Sequence, residues 1–90
     1  MSMVLIDLAK SFIRSEITAD TFEAQFFEIW YQEGTSGLLA QDSQEIKDCL
    51  NELFDFAERY TSDADKKDYE LDQEALSSEI KKTLTRCGLL

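Results

Sequence analysis

The sequence predicts an all-α fold, an antiparallel four-helix bundle. Three observations carry that expectation. Proline is absent and only three glycines occur in 90 residues, so the chain lacks the punctuation of a turn-rich β fold. Apolar residues recur at steps of three and four rather than two. Four such stretches of similar length are joined by short links, which favours antiparallel neighbours. No internal repeat and no long linker interrupts them, so residues 1–90 read as one domain.

The elements follow in order. Leu5, Leu8, Phe12 and Ile13 place a first helix from about Ser2 to Ser15, broken by Ser15-Glu16-Ile17-Thr18. Thr18 is a suitable N-cap for a second helix, with Asp20 in its first turn, where a negative charge suits the helix dipole. Phe22, Phe26, Ile29, Trp30 and Glu33 share its face, and Gly34 is expected to end it as a left-handed cap before a connection over 35–41. Asp42-Ser43-Gln44-Glu45 resembles a capping box with Asp in the Ser/Thr position. Ile46, Cys49, Leu50, Leu53, Phe54, Ala57 and Tyr60 then define the clearest helix, Ser43 to Tyr60. An Asp-rich link over 61–71 precedes Asp72, which can cap a last helix with the stripe Leu76, Ile80, Leu84 and Cys87. Gly88 should terminate it and let Leu89 fold back on the core.

The chain is long enough for one modest core. Surface scaling gives roughly 5,400 Å² folded against roughly 15,000 Å² unfolded. An apolar fraction of 43% and ten aromatics argue against disorder.

Charge is the loudest signal. Nineteen carboxylates against nine Lys and Arg leave a formal −10, which repels nucleic acid and anionic membrane and attracts basic surfaces. The excess is localised: residues 42–74 hold twelve carboxylates and four cations. Glu45, Asp48, Glu52, Asp55 and Glu58 fall at steps of three or four, one face of the third helix. Like charges at that spacing cost about 0.2–0.5 kcal/mol per pair, and within this segment Lys47 and Arg59 are the cations placed to relieve them. A surface serving solubility alone would intersperse the signs. The ridge continues into the acidic link, and the candidate docking surface is Glu52, Asp55, Glu58, Asp63, Asp65, Asp68, Tyr69, Glu70 and Asp72. Tyr60 is expected to complete the stripe of the third helix. Tyr69 is open between packing the link and anchoring an interface.

Other chemistries lack their residues. The absence of histidine removes the usual general base and most metal sites, and no glycine-rich phosphate loop occurs, so the chain does not read as an enzyme and implies no cofactor. An EF-hand beginning at Asp63 would place Asp65 third and Glu74 twelfth. It fails at Lys67 in position five and Asp68 where glycine is needed. Cys49 and Cys87 make no disulfide framework; Cys49 lies on an apolar stripe and suits a reducing compartment. With no basic-then-apolar leader and no apolar stretch of spanning length, the expected location is the cytoplasm. The terminal Cys87-Gly88-Leu89-Leu90 matches a prenylation pattern, but helix termination at Gly88 accounts for it.

The chain resembles the colicin D immunity family. The matching stretches are Ile6-Asp7-Leu8-Ala9-Lys10 with Phe12, Ser15-Glu16-Ile17-Thr18-Ala19 with Phe22, Cys49, and Glu52-Leu53-Phe54. They continue with Ala57-Glu58-Arg59-Tyr60, Asp63-Ala64-Asp65, Tyr69-Glu70-Leu71-Asp72 and Leu76. The segment from Ala57 to Asp72 is the most specific, the connection from Gln32 to Gln44 the least, and Thr61 departs where the family pattern is acidic. The resemblance implies a four-helix inhibitor that covers the active site of a tRNA-cleaving toxin and sets carboxylates where tRNA phosphates would lie. Glu58, Asp63 and Asp65 occupy the positions of that acidic group. It also implies a cognate bacterial tRNase toxin domain as partner, bound by a monomer in a 1:1 complex, with no direct nucleic-acid or membrane contact. Inhibitors of this type serve bacteriocins and contact-dependent growth inhibition systems alike. From the residues alone, an acidic adaptor for a basic protein unrelated to RNA and a calcium-binding module stay as alternatives.

Overall fold

The computed structural model describes residues 3–36, 43–63, 65 and 67–90. Four helices follow one another: α1 (Met3–Ile13), α2 (Ala19–Ser36), α3 (Gln44–Arg59) and α4 (Gln73–Arg86). Each packs against its chain neighbours, and α1 closes the ring against α4, giving the antiparallel four-helix bundle the periodicity predicts. Among the described residues the only extended pairing is an isolated parallel bridge between Tyr60 and Leu71. The accessible surface is 5440 Å², in line with the size expectation.

The helix ends explain the boundaries. α1 ends without glycine: the Glu16 N–H donates to Ser11 O and the Ser15 N–H to Phe12 O, both at 3.0 Å, with Ser15 itself at φ 63°. This is a Schellman turn whose left-handed position carries a side chain, a conformation that costs an L-residue about 1–2 kcal/mol. Thr18 caps α2 as expected, its Oγ1 accepting from the Thr21 N–H at 3.2 Å. A second donor of that helix start left without an intrahelical partner, the Ala19 N–H, reaches across to Gln73 Oε1 at 3.0 Å.

Two expectations fail or shift here. Gly34 does not end α2, which runs on to Ser36 with no left-handed residue at that position. A helical glycine costs about 1 kcal/mol, and the packing of the preceding turns outweighs it. Trp30 lies against Phe54 at 4.7 Å and Phe27 meets Phe54 edge-on at 5.3 Å between ring centroids. The N-cap of α3 is Ser43, whose Oγ accepts from the Ile46 N–H at 3.3 Å; Asp42, expected in that role, lies outside the described residues.

The last helix behaves as read. Asp72 Oδ1 accepts from the Ala75 N–H at 2.8 Å. Gly88 stands at φ 73°, with Leu89 N–H donating to Leu84 O at 2.9 Å and Gly88 N–H to Thr85 O at 3.1 Å. Leu89 is half-buried against the core, the packing role expected for this terminus.

All four helices feed one core. Leu5, Phe22, Phe26, Leu50, Leu53, Leu76, Ile80 and Leu84 are fully buried. An aromatic row from α1 into α2 runs through it: Phe12 stacks on Phe22 at 5.0 Å, Phe22 meets Phe26 at a tilt at 5.4 Å, and Phe26 stacks on Trp30 at 5.8 Å. The face of α1 is turned by about one position from the expected stripe. Ile6 and Ala9 are fully buried, whereas Leu8 and Ile13 are only half-buried. α1 has one polar side, Asp7, Lys10 and Ser11, and Ile6 and Leu8 flank the opposite apolar face alike; contact with both α2 and α4 favours Ile6.

Candidate functional site

The site sits at one end of the bundle, where α3 hands over to α4. The 61–70 segment leaves α3 and returns beside it. The Leu71 N–H donates to Arg59 O at 2.7 Å and the Thr61 N–H to Leu71 O at 2.9 Å, so the two ends of the loop are tied together. Inside it the Lys67 N–H donates to Glu70 Oε1 at 2.8 Å, the Glu70 N–H to Lys67 O at 2.9 Å, and the Asp63 N–H to Thr61 Oγ1 at 3.1 Å. Arg59 Nε donates to Tyr69 O at 2.8 Å. Glu70 and Thr61 therefore shape the loop, and Leu71 buries its base.

The tie extends to the start of α2. Tyr60 OH donates to Asp20 Oδ1 at 2.8 Å, and burial followed by this bond to a carboxylate pushes the phenol up to about 12. Burial, then the charge of Asp20, also raises the Glu23 carboxyl. Tyr60 is thus a packing residue, as the stripe implied, and additionally a strut between α3 and α2.

The predicted docking residues fall into two groups. Glu52 is paired with Arg86 of α4, and Asp55 with Arg59 at 3.6 Å on its own helix. Asp48 Oδ1 accepts from Gln44 Nε2 at 2.8 Å. The ridge is therefore relieved by Arg59 and by a cation from another helix, Arg86, while Lys47 makes no ion pair among the described residues. Glu45, Asp48, Glu52, Arg86, Cys49 and Cys87 line a shallow groove of about 490 Å³ between α3 and α4. Cys49 is buried and its thiol is pushed up to about 12 by burial and then by its neighbour Cys87; both cysteines are free.

Glu58, Asp63, Asp65 and Asp68 differ. All are exposed, and among the described residues none has a cation within ion-pairing distance. Tyr69 stands beside them with 61% of its surface exposed, so its ring does not pack the loop onto the bundle. Asp72 is exposed but serves as the α4 cap.

Tertiary structure adds two carboxylates from outside residues 42–74, Glu16 and Asp20. The Ala19–Gln73 and Tyr60–Asp20 bonds bring the α1–α2 turn to this same end. A cleft of about 700 Å³ there has Phe12 and Ile17 as its apolar lining and Glu16, Asp72 and Glu74 as its carboxylates. Arg14 and Lys67 are exposed cations of this end. Among the described residues no cluster of Cys, Asp and Glu is arranged to hold a metal ion, and no helix is long and apolar enough to cross a membrane.

The family model for bacterial self-protective colicin-like immunity matches residues 1–87. The chain belongs to the colicin-like immunity family. Among curated proteins none matches it. As an immunity protein it is an inhibitor rather than an enzyme, and its partner is a colicin-like toxin. The resemblance carried by Ala57 to Asp72 thus falls inside a family match that spans nearly the whole chain.

Proposed function

We propose that this immunity protein neutralises a colicin D-like, tRNA-cleaving toxin domain by laying its acidic end over the toxin's basic cleft. The observation that supports this reading best is the exposed group Glu58, Asp63, Asp65 and Asp68, which no described cation neutralises. A tRNase must hold a polyanionic backbone, so Lys and Arg line its cleft. Carboxylates offer two acceptor oxygens each to such groups, bidentate with Arg. The loop ties and the α3 scaffold hold them in place before binding, which lowers the entropy cost of association. Complementary fields speed encounter, to about 10⁸ M⁻¹s⁻¹ or more at low salt.

On this reading the protein acts in the cytoplasm as one domain and as a monomer in a 1:1 complex. Tyr69 is the aromatic anchor at the centre of the contact. Glu52, Asp55, Glu70 and Asp72 support the surface through their internal bonds and add field rather than direct contact.

The test is co-expression with a panel of tRNase domains from bacteriocins and contact-dependent inhibition systems, scored for survival, intact tRNA and co-purification. The expected result is rescue and a 1:1 complex with at least one domain of the colicin D type. Rescue confined to toxins that do not cleave RNA would overturn the reading.

A further inference from the structure

Arg59, the cation of the acidic end that is bonded into the loop, poses a question of sign. Arg59 follows Glu58 and precedes the loop that carries Asp63, Asp65 and Asp68. If charge alone governed binding to a basic partner, Arg59 would be unfavourable there and its removal would tighten the complex.

We propose that Arg59 is a positioning residue for toxin binding, one that holds the acidic loop closed, so that removing this positive charge weakens binding to a basic partner. The proposal rests on the function proposed above. Its geometric basis is the fork of the guanidinium. Nε donates to Tyr69 O at 2.8 Å, next to the exposed ring, while one terminal nitrogen lies 3.6 Å from Asp55 Oδ2 a turn back on α3. The Arg59 carbonyl accepts from the Leu71 N–H at 2.7 Å. One residue therefore grips the returning strand of the loop with both its backbone and its side chain.

The other ties are the Thr61 N–H to Leu71 O bond and the bonds between Lys67 and Glu70 within the loop, and among the described residues no other side chain joins the segment around Tyr69 to α3. Tyr69 is exposed, Asp63, Asp65, Lys67 and Asp68 are exposed, and Leu71 is the apolar residue that buries the base. Three carboxylates held close together repel one another, and the loop must be fixed against that repulsion before a partner arrives. Arginine suits the task because its planar fork serves two acceptors at once, which the single ammonium of lysine, lacking an Nε donor on its stem, does not reproduce.

The test compares wild type, Arg59→Gln and Arg59→Lys in two measurements. Hydrogen exchange on the protein alone reads the Thr61 and Leu71 amides, which close the loop, against the Leu53 and Leu84 amides of the core. Kinetics of binding use the tRNase domain selected by the survival screen. In Arg59→Gln the net charge moves from −10 to −11. The expected result is loss of Thr61 and Leu71 protection with core protection kept, and affinity about tenfold weaker through faster dissociation, with association unchanged or faster. Arg59→Lys should recover little of either. Binding that is unchanged or tighter in Arg59→Gln would overturn the proposal, as would full recovery by lysine, unchanged loop protection, or core protection lost along with that of the loop. If the wild-type chain binds no tRNase domain, the proposed function falls, and the exchange data still decide whether Arg59 holds the loop.

Discussion

The first half of α3 and the end of the bundle carry similar numbers of carboxylates but are in different electrostatic states. Along Gln44–Glu52 the charge is answered in part from within: Glu52 is paired with Arg86 across the helix pair, and Asp48 accepts a hydrogen bond from the neutral Gln44 amide. At the end formed by Glu58 and the loop, Asp63, Asp65 and Asp68 face outward with no described cation against them. The difference teaches that spacing on one helix does not by itself identify a docking surface. A ridge can be neutralised by a neighbouring helix, and what is left unanswered in the folded protein is what a partner can use.

The strongest way to break this comparison is charge reversal at the open end. Glu58→Lys, Asp63→Lys and Asp65→Lys combined should abolish protection and lower toxin affinity about a thousandfold or more, since losing one partner of a desolvated charge pair costs about 2–5 kcal/mol. Circular dichroism and thermal unfolding should show an intact bundle, because these side chains are exposed. Wild-type potency in that variant would place the contact elsewhere.

A smaller effect sharpens the comparison by testing how the open end is braced. Tyr60 donates to Asp20 only while its phenol is protonated, and its pKa is raised from 10.0 to about 12 in the folded state. A group whose folded pKa is raised contributes stability that is full below the unfolded value and lost as pH climbs through the folded one. Denaturant unfolding should therefore show stability falling between pH 10 and 12, and Tyr60→Phe should flatten that part of the curve. Cys49, raised from 9.0 to about 12, adds a parallel loss that begins lower and persists in the Tyr60 variant. An unchanged alkaline limb in Tyr60→Phe would remove the strut from the account.

The smallest expected effect is at the start of α3, away from the loop. Glu45→Lys with Asp48→Lys should change affinity by less than about threefold, mainly through association rate and salt dependence, as exposed rim charges do. A loss as large as that of the loop variant would erase the distinction between the two regions.

Much of this was legible in the chain. Four amphipathic stretches, the caps at Thr18 and Asp72 and the stop at Gly88 follow from local rules, and local hydrogen bonds are what the structure uses there. Gly34 misled because aromatic packing carried α2 past it. The break after α1 hid its left-handed position in a serine, and in α1 the polar side of Asp7, Lys10 and Ser11 left Ile6 and Leu8 equally placed at the two edges of the apolar face. For the site, the acidic segment was visible but its division was not. Arg86 is 34 residues from Glu52, and Asp20 is 40 residues from Tyr60. Neither partnership leaves a periodic trace, since it depends on how whole helices dock. The same docking brings Glu16 and Glu74 to the acidic end.

The most direct test of the central claim is steady-state inhibition of the tRNase domain at increasing tRNA concentration. If the open carboxylates occupy the path of the tRNA backbone, the apparent inhibition constant rises in proportion to tRNA above its KM, and the maximal rate is recovered at saturation. An inhibition constant indifferent to tRNA, with toxin and tRNA still bound together in the presence of the inhibitor, would contradict it.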